Sequence, residues 1–502
     1  MNAPYAITAV IIVALATLGI GAFGLRFSRT TSDFYVASRS VSPVWNSSAI
    51  SGEYLSAASF LGVAGLVLTF GADMLWYPIG WTAGYLLLLV FVAAPLRRSG
   101  AYTIPDFAQV RLQSIAVRRA ASLLVVGVGW LYLMPQFQGA GLTLRTVTGA
   151  PRWVGVVIVA SVVVLNVISG GMRSITFVQA FQYWLKLTAL LVPLIFLLHA
   201  WSGDGAPVPV TDSDSDWIFP LFDADAQGIY RTYSVIIATF LGTMGLPHVV
   251  VRFYTNPDGR AARRTTLIVL ALLGTFYLMP PIYGVLGRMY ASDLIAEGRT
   301  DAVVLELPGR MIGGGLGDLL AALLTAGAFA AFLSTSSGLT MSIAGVVGQD
   351  LQQSRYGNRL TGITALRIAA ICCIIVPVIL ALLAEQIAVA NSVTFAFALA
   401  ASTFCPLLIL GIWWRGLTAA GAIAGMIGGG LCAGTATVLT ISLQLEGWLG
   451  LILGQPAAWS VPVGFALMIG VSLATRKAVP ANVSRTMVRL HTPERLDVDR
   501  RP

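Results

Sequence analysis

Glu53 is a lone carboxylate in a run that is otherwise apolar or small, SSAISGEYLSAASFLGVAGL at residues 47–66. A carboxylate at membrane depth costs about 3 kcal/mol on insertion scales, so it faces a cavity, a partner or an ion. Its neighbours Ser47, Ser48, Ser51, Gly52, Ser56 and Ser59 favour a helix that breaks and bares carbonyl oxygens. The bland alternatives are an interfacial carboxylate or a structural pair with an arginine. A second interrupted stretch, FLGTMGLPHVVVRFYT at 240–255, sets Gly242, Gly245 and Pro247 together, with His248 next. Proline there removes a backbone donor and crowds the preceding turn, and such a break is tolerated where it lines a cavity. His248 is then either a ligand or a satisfied core histidine, and Arg252 a gate or anchor.

Two further stretches carry polar groups that could act. AAFLSTSSGLTMS at 330–342 packs Ser334, Thr335 and Ser337 into one helical turn. Hard cations take oxygen ligands from carbonyls and hydroxyls, although serine and threonine also join membrane helices to each other. LYLMPQFQGAG at 131–141 places Gln136 and Gln138 beside Pro135, where amides could bind substrate or bridge helices. Lys186 lies inside an apolar span and is expected to snorkel or to pair. The GGG runs at 313–315 and 428–430 lack the strand–turn–helix setting of a phosphate loop.

The elements that hold these groups follow from composition. The 502 residues are 57% hydrophobic and 11% charged, with a mean hydropathy of +0.81. Soluble domains carry about 25% charged residues, so lipid is the solvent implied. Crossing it takes roughly 20 apolar residues. Thirteen such spans are read, near 5–25, 44–70, 75–96, 121–148, 153–171, 175–200, 230–254, 265–288, 313–349, 361–384, 386–412, 417–443 and 456–474. The expected fold is an all-α polytopic membrane protein, with residues 1–475 as the integral domain and 476–502 as a basic cytoplasmic tail. No alternating strand pattern of a membrane barrel occurs.

Orientation follows from Lys and Arg in alternate loops. One set of loops with the C-terminal tail holds 24 of the 31, the other six, and Lys186 is within a span. That asymmetry predicts the N-terminus outside and the C-terminus inside. The formal charge of +9 thus reads as topology rather than nucleic-acid binding. The acidic loop at 202–228 fits the outer face. Cys372, Cys373, Cys405 and Cys432 fall within spans and read as packing residues. Three histidines, His199, His248 and His491, form no catalytic or metal pattern, so an enzyme is not expected.

The interrupted segments open the second and seventh spans. Spans two to six and seven to eleven can therefore be two inverted halves, 44–200 and 230–412, with extra helices at 413–475. Paired broken helices at matching positions point to a transporter binding site.

These stretches resemble the sodium:solute symporter family, and within it the acetate permease group. The likeness is carried by residues 32–81, by GTMGLPHVVVRFYTNPDGRAARRT at 242–265, by YTIPDFAQVRL at 102–112 and by SGGMRSITFVQAFQ at 169–182. The resemblance implies a five-plus-five inverted-repeat fold of the leucine-transporter type. It implies symport of a small monocarboxylate (acetate, propionate or pyruvate type) with Na+, in a bacterial cytoplasmic membrane, without an organic cofactor. It also implies a Na+ site built from the carbonyls of Ser51, Tyr54 and Ala331 and the hydroxyls of Ser334 and Thr335. Glu53 falls where relatives carry an Asp, and Gln179 where many carry an acid. The substrate pocket is expected at Glu53, Gln136, Gly245 and His248, with Tyr54 or Trp76 shaping it. Proton coupling, another small solute, or a transporter-like sensor are the alternatives. The tail after 475 has no room for a kinase, so a sensor would need a separate partner.

Overall fold

The computed structural model describes residues 3–24, 37–209, 215–221, 225–353, 362–383, 389–443, 445–494 and 496. Parts of the acidic loop and of the tail, and Arg26, Arg29, Arg355, Arg359, Arg495, Arg500 and Arg501 of the charge count, lie outside them. Among the described residues there is no strand. The helices of seven residues or more are α1 Ala3–Gly24, α2 Pro43–Tyr54, α3 Val63–Phe70, α4 Trp76–Leu87, α5 Ala93–Ser99, α6 Ile104–Leu112, α7 Ile115–Thr148 and α8 Arg152–Gly203. The chain continues with α9 Ala226–Gly245, α10 Pro247–Phe253, α11 Gly259–Tyr277, α12 Met279–Tyr290, α13 Val303–Met311 and α14 Gly314–Gln353. It ends with α15 Gly362–Leu383, α16 Val389–Trp413, α17 Ala419–Leu443, α18 Gly447–Gly454, α19 Ala457–Ala474 and α20 Val483–His491.

Among the described residues, ten helical runs are long and apolar enough to cross a membrane, and α9 with α10, bent by 44°, make an eleventh. Two runs, Ala58–Ser99 and Arg152–Gly203, have 42 and 52 residues, about twice what one crossing takes. Each is divided at a glycine. Gly71 has φ +69°, and a Cβ there would lie 1.9 Å from the Trp217 carbonyl oxygen. Gly171 has φ 61° and ψ −163°, which interrupts α8 within a merged run. Both conformations suit only a residue without a Cβ.

The expected break near Glu53 is present. α2 ends at Tyr54, Leu55 is extended (φ −72°, ψ 90°), and the chain restarts through a wide π turn, Ala58–Gly62, into α3. The second break separates α9 from α10 at Leu246 (φ −69°, ψ 119°), with Pro247 starting the new helix. Proline fixes the entry angle and forfeits an N–H that the first helical turn would leave unbonded anyway.

The other helices pack around α14 and α16. These are the most interior of the membrane-length runs, with 78% and 89% of their apolar windows buried. Large apolar side chains face outward instead on the peripheral helices, among them Leu15, Leu123, Ile195, Leu278, Leu383 and Leu431. That is the inside-out pattern a lipid-facing bundle requires.

Candidate functional site

At the first break, backbone and side chains from α2, the second half of α8, α10 and α14 converge. Glu53 and Arg252 form a fully buried ion pair, Arg252 Nε donating to Glu53 Oε2 at 2.6 Å. The same guanidinium donates to Thr176 Oγ1 at 3.0 Å and to Gln179 Oε1. Gln179 in turn donates to the Ser334 carbonyl at 2.8 Å. The broken helices are thus fastened to each other and to α8 and α14 by one planar cation. Arginine suits this role because its donors are fixed in a fork. Glu53 Oε1 has no partner and rests against Gly338, where a Cβ would fall 2.0 Å from that oxygen. Gly338 exists to admit the carboxylate.

Beside this pair lies the cage expected to hold the coupling cation. Thr335 Oγ1 donates to the Glu53 carbonyl at 2.6 Å, and Ser334 Oγ donates to the Ala331 carbonyl at 3.0 Å. The Ser51 carbonyl is taken by the Leu55 N–H at 3.1 Å, closing the last turn of α2. Tyr54 instead sends its hydroxyl across to Thr243 Oγ1 at 2.7 Å and the Trp81 carbonyl at 3.3 Å. Besides the Glu53 carbonyl, the carbonyls that the break turns inward are those of Gly52 and Leu55, each one residue further along than the expected Ser51 and Tyr54. Both accept from Lys186 Nζ, the Leu55 bond being 2.7 Å long, and Nζ also donates to Ser334 Oγ at 2.9 Å. Lys186 is fully buried. It does not snorkel; its ammonium occupies the centre of the oxygen set.

Across the break from the ion pair is an aromatic cluster, termed the aromatic chamber. Ring centroids run Tyr85 to Tyr54 at 4.9 Å, Tyr54 to Phe397 at 6.4 Å, Phe397 to Trp81 at 5.9 Å and Phe397 to Tyr132 at 5.7 Å. The Tyr132 ring lies 5.2 Å from that of His248. No protein atom bonds either ring nitrogen of His248, the Trp81 indole N–H or the Tyr85 hydroxyl, and all are buried. A buried polar atom without a partner costs about 1–3 kcal/mol, so these four atoms along one chain of rings are free to bond a guest.

The other expected pocket residues are placed differently. Gln136 accepts the Ala57 N–H at 3.0 Å and donates to the Tyr132 carbonyl at 3.3 Å, so it caps the backbone donor that the break frees. Gly245 ends α9 against α16, where a Cβ would sit 2.4 Å from the Ala400 carbonyl oxygen. Trp76 starts α4 beside the Gly71–Leu75 turn, half-buried; Trp81 is the indole in the chamber. Sequence reasoning missed Trp81, Tyr85, Tyr132 and Phe397, which nothing distinguishes from ordinary core aromatics until the helices are brought together. Arg252 was legible as a cation one helical turn after His248, and Lys186 as an ionisable group at membrane depth.

A helical bundle in which two broken helices meet at a polar, enclosed centre defines a secondary transporter of the membrane. The chain belongs to the sodium:solute symporter family, whose sequence pattern matches residues 34–429. It is 30% identical over 500 residues to the uncharacterised symporter YwcA of Bacillus subtilis strain 168, covering 95% of this chain and 96% of that one. Among solved structures it resembles a substrate-bound, outward-open Na+-coupled sialic acid symporter, with TM-score 0.72, 16% identity, and coverage of 93% of this chain and 98% of that one. It also resembles Mhp1, a nucleobase–cation symporter, at TM-score 0.53, 15% identity and coverage of 92% and 99%. These structural likenesses establish a shared fold, that of the leucine-transporter type. The protein is a multi-pass plasma-membrane transporter and not an enzyme.

Proposed function

We propose that this protein takes up a small monocarboxylate, of the acetate, propionate or pyruvate type, by cation symport with alternating access. Its inverted halves are residues 44–200 and 230–412, residues 413–475 add helices, and thirteen crossings leave the N-terminus outside and the C-terminus inside. The observation that carries the reading is the chamber beside the break, with its unbonded His248, Trp81 and Tyr85 groups. Trp81 N–H and Tyr85 O–H are donors, His248 supplies another, and a carboxylate is acceptor-only. The surrounding rings of Tyr54, Tyr132 and Phe397 offer apolar faces to a short hydrocarbon tail.

The residues divide the work. Arg252 joins α10 to α2 through Glu53 and closes the passage on their side of the chamber. Separation of that pair, with Gln179 and Thr176 as alternative partners for the guanidinium, opens it. Gln136 holds the start of the segment leading to α3 through the Ala57 N–H while α2 moves. Na+ is the coupling ion to which family membership and the sialic acid symporter point. Protons are the second reading, favoured by the ammonium of Lys186 at the centre of the expected Na+ ligands. One inward charge gains about 2.3 kcal/mol per 100 mV, sufficient for more than tenfold accumulation per net charge moved.

The test is uptake of labelled acetate, propionate and pyruvate by proteoliposomes under an imposed Na+ or proton gradient. Accumulation of at least one acid, dependent on one of the gradients, is expected. No uptake of any of the three under either gradient would remove the substrate assignment. Acceleration by protons alone, indifferent to Na+, would remove sodium as the driving ion.

A further inference from the structure

The oxygens gathered at the first break already surround a positive charge. Lys186 Nζ has three partners, the Gly52 carbonyl, the Leu55 carbonyl at 2.7 Å and Ser334 Oγ at 2.9 Å. Ser334 gives its own hydrogen to the Ala331 carbonyl, so it meets Nζ with a lone pair. Three acceptors match the three N–H bonds of an ammonium, which has no lone pair to spend on a metal ion. The expected Na+ ligand set therefore does not fit a free cation while Lys186 remains in it.

The side chain has little freedom to leave. At Gly52, α2 approaches α8 so closely that a Cβ would lie 2.1 Å from the Gln179 carbonyl oxygen. One turn before Lys186, Gln182 is tied to Thr17 of α1 at 3.0 Å. Just beyond it, Ala189 packs against Gly327, where a Cβ would lie 2.5 Å from the alanine methyl. The stem thus runs in a closed seam between α1, α2, α8 and α14.

Charge counting points the same way. The charged side chains buried around this break are Glu53, Arg252 and Lys186, two cations against one carboxylate. A further cation in the cage would face Lys186 at close range in a low-dielectric surrounding, where like charges repel strongly. A monovalent anion in the neighbouring chamber balances the set instead.

We propose that Lys186 is the resident cation of this site: its ammonium ties the broken α2 segment to the Ser334 turn of α14, the position a sodium ion would otherwise bridge, and Na+ does not bind there in the native protein. Whichever ion drives transport passes by another route. The functional consequence rests on the symporter reading above, but the binding claim stands apart from it.

The experiment is binding of 22Na+ to the purified full-length protein in detergent, with thermal melts in NaCl against choline chloride and no organic substrate present. The native protein is expected to show no Na+ binding and no Na+-dependent rise in melting temperature that Ser334→Ala removes; Na+ binding that survives Ser334→Ala belongs to the other route and supports the proposal. Lys186→Ala leaves the oxygens facing an open cage. It is expected to gain about one bound Na+ per chain and a Na+-dependent stabilisation, since a ligand that binds only the folded state raises its stability. Adding Ser334→Ala should abolish the gain. Saturable Na+ binding by the native protein that Ser334→Ala removes would overturn the proposal, and this arm needs no lysine variant to fold. A folded Lys186→Ala protein indifferent to Na+ would overturn it as well. Failure of monocarboxylate uptake would cost the substrate assignment and leave these binding results intact.

Discussion

At the scale of single residues, Glu53 and Arg252 explain why an apolar helix tolerates a carboxylate. Each desolvated charge has its partner at 2.6 Å, and the guanidinium has two further acceptors. Breaking a buried pair by removing one partner costs about 3–5 kcal/mol, because the other charge is left uncompensated. Glu53→Gln and Arg252→Gln are each expected to destabilise the protein by that amount in denaturation of the purified chain. The double change Glu53→Gln with Arg252→Gln should cost less than the sum of the single changes, by roughly 0.5–3 kcal/mol of coupling; strict additivity would deny that the pair acts as a unit. His248 is a different case, since no protein group depends on its ring nitrogens. His248→Ala should raise KM for the proposed monocarboxylate about 10–100-fold, the loss of one hydrogen bond to a charged group, with a fall in melting temperature no larger than the emptied ring volume explains. A large fall in stability with unaltered KM would make His248 a packing residue. Glu53 and His248 were legible in the sequence because an ionisable group in an apolar run announces itself. Lys186 announced itself too, but its destination did not: whether a lysine snorkels or turns inward depends on the helix packed against it, which spacing along the chain does not encode.

At the scale of helices, the breaks were the readable part. Ser–Gly density before residue 55 and the Gly–Leu–Pro step at 245–247 both mark interruptions in otherwise apolar runs, and both are interruptions in the structure. Less readable was which carbonyls a break turns inward. A shift of one residue rotates a backbone oxygen by about 100° around a helix, so Gly52 and Leu55 face Lys186 where Ser51 and Tyr54 were expected. Nor do glycines declare their purpose. Gly52 and Gly127 both lie in helices, yet a Cβ at Gly52 would meet the Gln179 carbonyl oxygen at 2.1 Å and one at Gly127 would meet nothing within 4 Å. Alanine relieves the conformational cost of a helical glycine by about 0.5–1 kcal/mol. Gly127→Ala should therefore be neutral or slightly stabilising. Gly52→Ala should lower stability by about 1–3 kcal/mol, the cost of overpacking, and prise α2 from α8. Thermal melts of the two variants in the same detergent give opposite signs if close approach, rather than flexibility, is what Gly52 supplies.

At the scale of the whole molecule, the distribution of charge bears on which side of the membrane each end faces. The charge asymmetry puts Arg97, Arg98, Arg260, Arg263 and Arg264 on the same side as the tail. The fold agrees in bringing tail and loops together. Arg98 pairs with Glu494 at 3.4 Å, Glu494 also accepts the Gly259 N–H at 2.9 Å, and Trp413 stacks edge-on with His491 at 4.7 Å. The C-terminal helix α20 thus lies across the ends of α5 and α11, on the face to which α2 and α10 lead. On the topology proposed above, with positive residues retained in the cytoplasm, that face would be the inner one and the closed Glu53–Arg252 pair an inner closure. Single cysteines at Ser202 and Lys477, both exposed, test this in a background with the four native cysteines replaced. An impermeant maleimide should label the Ser202→Cys protein in intact spheroplasts and the Lys477→Cys protein only after permeabilisation. The reverse pattern would turn the molecule over, make the arginine-rich face external, and convert the inner closure into an outer one.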